Sequence, residues 1–312
     1  MNRKTSNNKS SISRPKNSKT APFDIYRLLR WDEIPPFMRD NSFIKTGYRQ
    51  PIASFKYCFS SLFFIHNETV NIYSHLIGAL VFFALMFTTK ALLVQTTPSA
   101  SSTDILFTYI FLAGAVSCLL MSSIYHTTKC HSENVSKLLN KCDYIGITLL
   151  IVTSCFPIIF YAFRCNSSLQ LSYIILLSAL GTFASFISIY PTFATPKYRK
   201  FRALVFVLLG VSAVVPISHS IILFGATHTF HSTQLAYILP MAAFYILGAF
   251  LYACRLPESL FPGKFDIWFH SHQIFHFFVL IAALFHYHGV IKALNWAHLN
   301  APTCSNFPTT NF

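Results

Sequence analysis

Seven apolar stretches, each long enough to cross a bilayer as a helix, dominate the sequence. An α-helix needs about 20 consecutive apolar residues to span the hydrocarbon core of a membrane. The stretches are rich in Leu, Ile, Phe and Ala, and their charged residues lie at the ends. They cover approximately residues 72–94, 105–126, 141–163, 169–190, 203–224, 234–254 and 270–292. None shows the polar and apolar alternation of barrel strands. The sequence therefore predicts an all-α membrane protein, a bundle of seven transmembrane helices.

The composition favours a membrane protein over a soluble or nucleic-acid-binding one. Only 11% of the 312 residues are charged, against roughly a quarter in ordinary soluble domains. The formal net charge of +14 indicates a partner such as nucleic acid or an anionic membrane surface. The basic residues lie between the apolar stretches and not on a compact domain, so the membrane is favoured and no nucleic acid is expected. The eight cysteines form no CxxC pair, and no disulfide or zinc-finger framework is predicted.

The Lys and Arg residues are distributed unevenly between the two ends of the predicted spans. Of the 24, 21 lie before the first span or in the connections after the second, fourth and sixth spans. The other side has only three, which are Lys90, Arg164 and Lys292. Cytoplasmic loops of membrane proteins carry an excess of positive charge. The N-terminus is therefore predicted to be cytoplasmic and the C-terminus to be outside.

The positions of the spans and the composition between them divide the chain into four parts. The first 20 residues contain six Lys and Arg, no acidic residue and no apolar stretch, so we expect a disordered tail and no cleavable signal peptide. Before the first span, apolar residues recur at helical spacing and predict an amphipathic helix on the membrane surface: Phe55, Phe59, Leu62 and Phe63. The predicted parts are a disordered basic cytoplasmic tail (1–22), a cytoplasmic segment with the amphipathic helix (23–71), the seven-helix transmembrane domain (72–292) and a short external tail (293–312).

Three histidines and an aspartate fall at one predicted depth, on the cytoplasmic side. His126 ends the second span, Asp143 lies in the first turns of the third, and His272 and His276 open the seventh. Ionisable residues within spans are costly and usually functional. The last two histidines are four residues apart and share one helix face, and His126 can supply a third ligand. Because neutral imidazole is a good zinc ligand, the sequence predicts that these three histidines bind Zn2+.

The chemistry of such a site depends on its neighbours. Three histidines leave one tetrahedral position open for water, as in catalytic zinc sites. Asp143 has the right character to orient a ligand or the water, and Ser122, one turn before His126, can add a hydroxyl group. Asp143 and Ser122 are therefore the predicted catalytic residues. The alternative is that the histidines are unrelated helix-end residues that face lipid headgroups.

Five other polar residues are candidates for lining a cavity or contacting lipid: Glu68, Asn71, His75, Arg202 and His219. The first three share one helix face, at which they can form the cytoplasmic mouth of a cavity or hydrogen-bond neighbouring helices. Arg202 can reach the headgroups or hold a lipid carboxylate. His219 lies deep in the fifth span, where an interhelical hydrogen bond is the first expectation and cavity lining the second.

These motifs together resemble the progestin and adiponectin receptor family. They are His66-Asn67-Glu68 with Asn71 and His75, Ser122 to His126, Asp143, and Pro262 to Trp268 followed by His272 and His276. The similarity runs from about Trp31 to about residue 292, and it is closest to the fungal branch implicated in zinc and lipid homeostasis. The resemblance implies a seven-helix receptor with a cytoplasmic N-terminus and a zinc ion held by the three histidines, with Asp143 and Ser122 nearby. For the adiponectin receptor branch it also implies hydrolysis of ceramide to sphingosine and fatty acid.

Two functions are therefore open. The first is a receptor-like protein of lipid signalling and zinc and lipid homeostasis whose zinc site hydrolyses a ceramide-like amide. Its expected partners are a membrane lipid, either a sphingolipid or a fatty acid, and an extracellular protein ligand. The second is a non-enzymatic receptor or regulator with structural zinc. A zinc transporter is disfavoured because the ligands cluster at one face, with no acidic or histidine path across the bilayer. The plasma membrane is the expected location, with the endoplasmic reticulum as the alternative.

Overall fold

The structure, a computed structural model, describes residues 24–300 and is almost entirely helical there. Its ten α-helices are α1 (Phe55–Ser60), α2 (Thr69–Thr96), α3 (Ser102–Thr128), α4 (Glu133–Ala162), α5 (Ser167–Ile189), α6 (Arg199–Val211), α7 (Val214–Phe224), α8 (Ala226–Ser232), α9 (Leu235–Cys254) and α10 (Ser271–Asn300). Seven segments are long and apolar enough to cross a membrane: α2 to α5, α9, α10, and the segment Pro196–Phe224 that contains α6 and α7. The predicted seven-helix class is confirmed. The tail predicted at 1–22 lies outside the described residues.

The helix bounds differ from the predicted spans mainly at two places. Helix α4 begins at Glu133 instead of near residue 141. In its first turns, the side chains of Glu133 and Lys137 form an ion pair of 2.6 Å. Helix α10 continues to Asn300, so it includes the start of the segment predicted as an external tail. Its last turns stay helical because Ala293, Leu294 and Ala297 are buried in an apolar cluster with residues of α2 and α4. Residues 301–312 lie outside the described part of the chain.

The fifth span is interrupted between α6 and α7. Its break, at Ser212 and Ala213, comes four residues before Pro216. A proline has no N–H to donate to the carbonyl four residues earlier, and its ring collides with that carbonyl. The local sequence thus explains why two shorter helices replace one continuous helix.

The core of the bundle lies between α2, α3, α4 and α10. Its central apolar cluster includes Phe82, Phe111, Leu119 and Leu150, all of them buried. Helices α3 and α4 approach closely at Gly146, where an added Cβ would lie only 3.0 Å from the Cα of Cys118. Small residues allow such backbone contact between membrane helices. This contact places the ends of α3 and α4 that carry predicted site residues side by side.

The outer surface of the bundle is apolar. Large side chains such as Leu171, Phe183, Ile222 and Phe250 are exposed on α5, α7 and α9. A contiguous surface of this kind is unfavourable in water and is typical of helices that face lipid. Together with the seven spans, it supports an integral multi-pass membrane protein.

The segment before α2 packs against the end of α3. Arg49, only 2% exposed, donates hydrogen bonds to the backbone carbonyls of His126 and Thr127 and to the hydroxyl of Ser61, at 2.5, 2.7 and 2.7 Å. Such carbonyls at a helix C-terminus have no partner within the helix, and a cation there is favourable. Arg49 therefore fixes the backbone of the turn that carries His126.

The predicted amphipathic helix is present, but it is short. Helix α1 ends at Ser60, and a 3₁₀ turn formed by Ser61–Phe63 follows it. Phe55, Phe59 and Phe63 are largely exposed on this segment. Its location on a membrane surface stays a prediction.

Candidate metal centre

The three histidines predicted as metal ligands meet at one end of the bundle. His126 lies in the last turn of α3, and His272 and His276 lie in the first two turns of α10. Their ring centroids form a nearly regular triangle with sides of 4.8, 4.9 and 5.0 Å. One ring nitrogen from each lies within 4.8 Å of the others. Within residues 24–300, no other group of three or more His, Cys, Asp or Glu side chains has donor atoms placed in this way.

The triangle fits a tetrahedral metal ion. With Zn–N distances of about 2.0–2.1 Å and tetrahedral angles, the centroids of two bound imidazoles lie about 5 Å apart. The Nε2 atom of His126 is buried and has no hydrogen-bond partner among the described residues. A buried polar atom without a partner is costly, and a metal ion would satisfy it. The three side chains can therefore hold a metal ion.

Glu68 orients His126 for this role. The Nδ1 atom of His126 lies 2.8 Å from Oε2 of Glu68. Because an ionised carboxylate only accepts hydrogen bonds, Nδ1 carries the proton and Nε2 keeps its lone pair. A carboxylate behind a metal-binding histidine fixes the ring and makes it a better ligand. From the sequence, Glu68 was predicted to line the mouth of a cavity or to hydrogen-bond a neighbouring helix. Its contact with His126 was not predicted.

Glu68 is itself held in its ionised form. Asn71 Nδ2 donates to Oε2 at 2.6 Å and Lys129 Nζ donates to Oε1 at 2.7 Å. Burial raises the pKa of Glu68, but Lys129 and His126 lower it by more, so the pKa lies well below the usual value. The carboxylate thus stays charged, and it connects α2 to both ends of the turn from His126 to Lys129.

His276 is positioned by the same face of α2. Its Nδ1 atom lies 3.1 Å from the carbonyl oxygen of Asn71 and 3.3 Å from the hydroxyl of Ser74. His75 stacks on His276 with ring centroids 3.6 Å apart and an interplanar angle of 7°. With Nδ1–H donating to the carbonyl, Nε2 of His276 is left as the ligand atom. The residues Glu68, Asn71 and His75 therefore share one face, as predicted, and that face supports the ligand histidines.

The predicted catalytic pair lies next to the triad. Asp143 and Ser122 are buried, with 7% and 1% exposure, at the close approach of α4 and α3. The Asp143 carboxyl group interacts with Ser122 and His126, although the Ser122 hydroxyl forms no hydrogen bond of normal geometry with any described residue. Ser122 lies one turn before His126 on α3, and the catalytic roles of Asp143 and Ser122 stay predictions.

Arg202 and His219 lie apart from the three histidines. Arg202 donates to the carbonyls of Phe193 and Thr195, and its guanidinium lies 4.8 Å from the ring of Tyr144. The interhelical hydrogen bond expected of His219 is present, between its Nδ1 atom and the Tyr173 hydroxyl at 2.8 Å. Contact of Arg202 or His219 with lipid stays a prediction.

Some residues at the site gave no clear signal in the sequence. Tyr252 packs edge-on against His272, with ring centroids 5.1 Å apart. Lys129 and Arg49 act on the turn that carries His126. Lys129 follows His126 by only three residues, but its pairing with Glu68 depends on tertiary packing, as do the positions of Arg49 and Tyr252.

Comparison with known protein families agrees with this arrangement. Residues 63–287, which include all three histidines, match the model of the family described as haemolysin-III related. The chain belongs to the haemolysin-III-related family. The matched region extends from the turn before α2 well into α10, so it includes residues of every helix that contributes to the site.

Three similar proteins have names of receptors or of heptahelical membrane proteins. The chain is 43% identical over 278 residues to progestin and adipoQ receptor-like protein 1 of Caenorhabditis elegans, covering 88% of this chain and 62% of that protein. It is 39% identical over 296 residues to ADIPOR-like receptor IZH2 of Saccharomyces cerevisiae, covering 95% and 91%. It is 38% identical over 276 residues to heptahelical transmembrane protein 1 of Arabidopsis thaliana, covering 86% and 82%. The predicted family resemblance is confirmed.

Proposed function

We propose that this receptor-like membrane protein hydrolyses the amide bond of a ceramide-like lipid at a zinc site formed by His126, His272 and His276. The observation that carries the proposal is the triad itself, a three-ligand set with its outer nitrogens fixed by Glu68 and by the carbonyl of Asn71. Structural zinc is usually enclosed by four protein ligands, whereas catalytic zinc keeps a position for water or substrate. Bound zinc supplies Lewis-acid chemistry, since it polarises a carbonyl and makes water more acidic.

The side chains around the triad have separate tasks in this proposal. Glu68 and Asn71 hold the ligand rings in their orientation, and His75 covers one face of His276 and excludes water from it. Asp143 accepts a proton from the attacking water at a carboxylate oxygen and returns it to the leaving nitrogen. Ser122 supports the orientation of Asp143.

The test measures zinc content and turnover on the same preparations of wild type, Asp143→Asn and Asp32→Asn. Asp32 is a matched control because it makes the same chemical change at a side chain that is 81% exposed. We expect Asp143→Asn to keep zinc, since changes behind the ligands weaken metal affinity by about 10- to 100-fold without abolishing it, and to lose amide hydrolysis. Asp32→Asn should match wild type in both measurements.

Two results would change this reading. If wild type shows no zinc-dependent turnover of any long-chain amide, the non-enzymatic receptor or regulator is the better function. If Asp143→Asn loses zinc and folded structure together, the proton-transfer role of Asp143 is withdrawn. The non-enzymatic alternative has its own support, because the triad joins α3 to α10 and a buried ion there would fasten these two helices.

We also propose that the N-terminus is cytoplasmic and the C-terminus outside, in the plasma membrane. The basic residues are concentrated on the triad side of the spans. Cys58 and Cys130, on that side, are free although their sulfur atoms lie 3.7 Å apart, whereas Cys165 at the other end is disulfide-bonded. Disulfides persist in oxidising compartments, which supports this orientation. The receptor-type names of the relatives support an extracellular protein ligand, and a sphingolipid or fatty acid is the proposed lipid partner.

A further inference from the structure

A polar pocket lies beside the triad, at the same end of the bundle. It has a cavity volume of about 40 Å³ and lies between the segment before α2, the end of α3, the start of α6, the end of α9 and the start of α10. The residues that decide its chemistry are Asp40, Glu68, Lys129, Arg199, Arg255 and His272. Only His272 belongs to the triad, so most of the pocket is a separate space that opens next to the candidate metal centre.

The charges of the side chains that line this pocket do not cancel. Lys129 pairs with Glu68 at 2.7 Å, and the Arg255 guanidinium lies 3.8 Å from Oδ1 of Asp40. These two pairs use both carboxylates of the lining. Arg199 forms no ion pair with any residue among 24–300. The lining therefore carries one positive charge without an ion-pair partner, and the buried carboxylate of Glu258 lies behind the lining, where it accepts hydrogen bonds from Asn41 and Ser271.

Arg199 is buried in a way that makes its missing partner costly. It is 9% exposed, and although one terminal nitrogen donates to the carbonyl of Ala253 at 3.0 Å, its Nε atom is buried without an acceptor. A buried charge without a counter-charge is strongly unfavourable. The crowding of positive charge also affects Arg255: burial lowers its pKa, Asp40 opposes this change and Arg199 adds to it.

Arg199 also lies at the N-terminus of α6, directly after the 3₁₀ turn Pro196–Tyr198, and its own N–H donates to the carbonyl of Pro196. Arg199 is the first residue of α6, whose first turn contains no acidic side chain. The N-terminal end of a helix carries a partial positive charge, so a cation there is repelled by the helix dipole. A bound anion would offset this repulsion. Helix N-termini with a nearby Arg or Lys are favourable places for phosphate.

We propose that this pocket binds a phosphate-type oxyanion, with Arg199 as its counter-charge. The group comes either from a lipid headgroup or from free phosphate. Lys129, Arg199 and Arg255 reach the pocket from three different segments of the chain, and a tetrahedral phosphate offers oxygens in several directions, whereas a carboxylate offers them in one plane. The inference rests on the pocket and not on amide hydrolysis, so either can fail without the other.

The experiment measures the melting temperature of the purified full chain in maltoside micelles, which contain no phosphate. One arm titrates inorganic phosphate and the other titrates short-chain phosphatidic acid. A ligand that binds only the folded state raises the melting temperature as its concentration exceeds Kd. We compare wild type with Arg199→Gln and with Lys200→Gln, which removes the same charge from the exposed neighbouring residue of α6.

We expect stabilisation of wild type and of Lys200→Gln, and an increase of roughly 10- to 100-fold in the concentration that Arg199→Gln needs, as for the loss of a hydrogen bond to a charged group. Stabilisation by phosphatidic acid alone identifies a lipid headgroup, and stabilisation by inorganic phosphate alone identifies a free anion; both results support the oxyanion site. The proposal is overturned if neither probe stabilises wild type, or if Arg199→Gln responds like wild type. If Arg199→Gln does not fold, Arg199→Met replaces it: this variant removes the charge from an unbranched side chain, and an unchanged response to both probes overturns the proposal.

Discussion

Replacing Glu68 by Gln tests whether this carboxylate prepares His126 as a metal ligand. The substitution keeps the size of the side chain but leaves one acceptor oxygen and one NH2 group. In the wild type, Oε2 accepts from His126 and Asn71 at 2.8 and 2.6 Å, and Oε1 accepts from Lys129 at 2.7 Å. A glutamine cannot satisfy all three donors, whichever way its amide is turned.

Each orientation of the amide has a definite cost. If the oxygen faces His126, the NH2 group faces the ammonium of Lys129, and a buried cation loses its partner. If the oxygen faces Lys129, the NH2 group faces Nδ1 of His126, and Nδ1 must then accept a hydrogen bond. The imidazole proton therefore moves to Nε2, which can no longer bind the metal. The first case resembles the breaking of a buried ion pair, which costs about 3–5 kcal/mol of stability. The second acts on the metal, and we expect zinc affinity to fall by about 10- to 100-fold.

The assay has two readouts on purified protein: zinc affinity by competition with a chelator, and the melting temperature. Glu133→Gln is the matched control, because it breaks an exposed ion pair with Lys137, and exposed pairs contribute about 1 kcal/mol or less. Near neutral pH the effect of Glu68→Gln should not vary with pH, since the pKa of Glu68 lies well below its usual value and the wild-type carboxylate stays ionised there. A Glu68→Gln protein that binds zinc with wild-type affinity and melts at the wild-type temperature would refute this role of Glu68.

Three further predictions concern the ligands, the topology and the support of α3. The double variant His272→Ala with His276→Ala should lose stoichiometric zinc in elemental analysis of purified protein; one zinc per chain in the double variant would show that the ligands are assigned incorrectly. Reporters active only in the cytosol should give signal when fused to the N-terminus and none at the C-terminus, and the reverse pattern would reject the proposed orientation. Arg49→Gln should destabilise the protein by at least about 2 kcal/mol, because the buried guanidinium donates to His126, Thr127 and Ser61. The exposed Arg30→Gln, compared in the same thermal melts, should have little effect; equal melting temperatures for the two variants would contradict the role of Arg49.

The number and type of the helices could be predicted because the bilayer imposes a length on every span. The ends of the helices were less accessible. Lys292 looked like the end of the last span, yet α10 continues to Asn300 because Leu294 and its neighbours are buried against α2 and α4. That burial depends on the packing of distant segments, which hydropathy along the chain does not record.

The candidate site was predictable to the extent that its geometry is local. His272 and His276 share a face through helical spacing alone, and the common depth of His126 and Asp143 follows from the topology. The contact between Glu68 and His126 joins residues 58 positions apart, and it depends on how α2 is rotated against α3. Helical spacing predicts that Glu68, Asn71 and His75 share one face of α2. It does not predict which metal-binding histidine that face contacts.

The start of α2 supports both helices that carry the ligands. Glu68 fixes His126 of α3, while the Asn71 carbonyl and the His75 ring fix His276 of α10. A shift of α2 along its axis would therefore disturb two of the three ligands at once. Since linkage is reciprocal, a metal ion that binds the triad must also stabilise the position of α2 and of the segment before it. Metal binding and the arrangement of the segment from Arg49 to His75 are thus coupled, and the metal content of the protein should control the stability of this end of the bundle more than that of the opposite end.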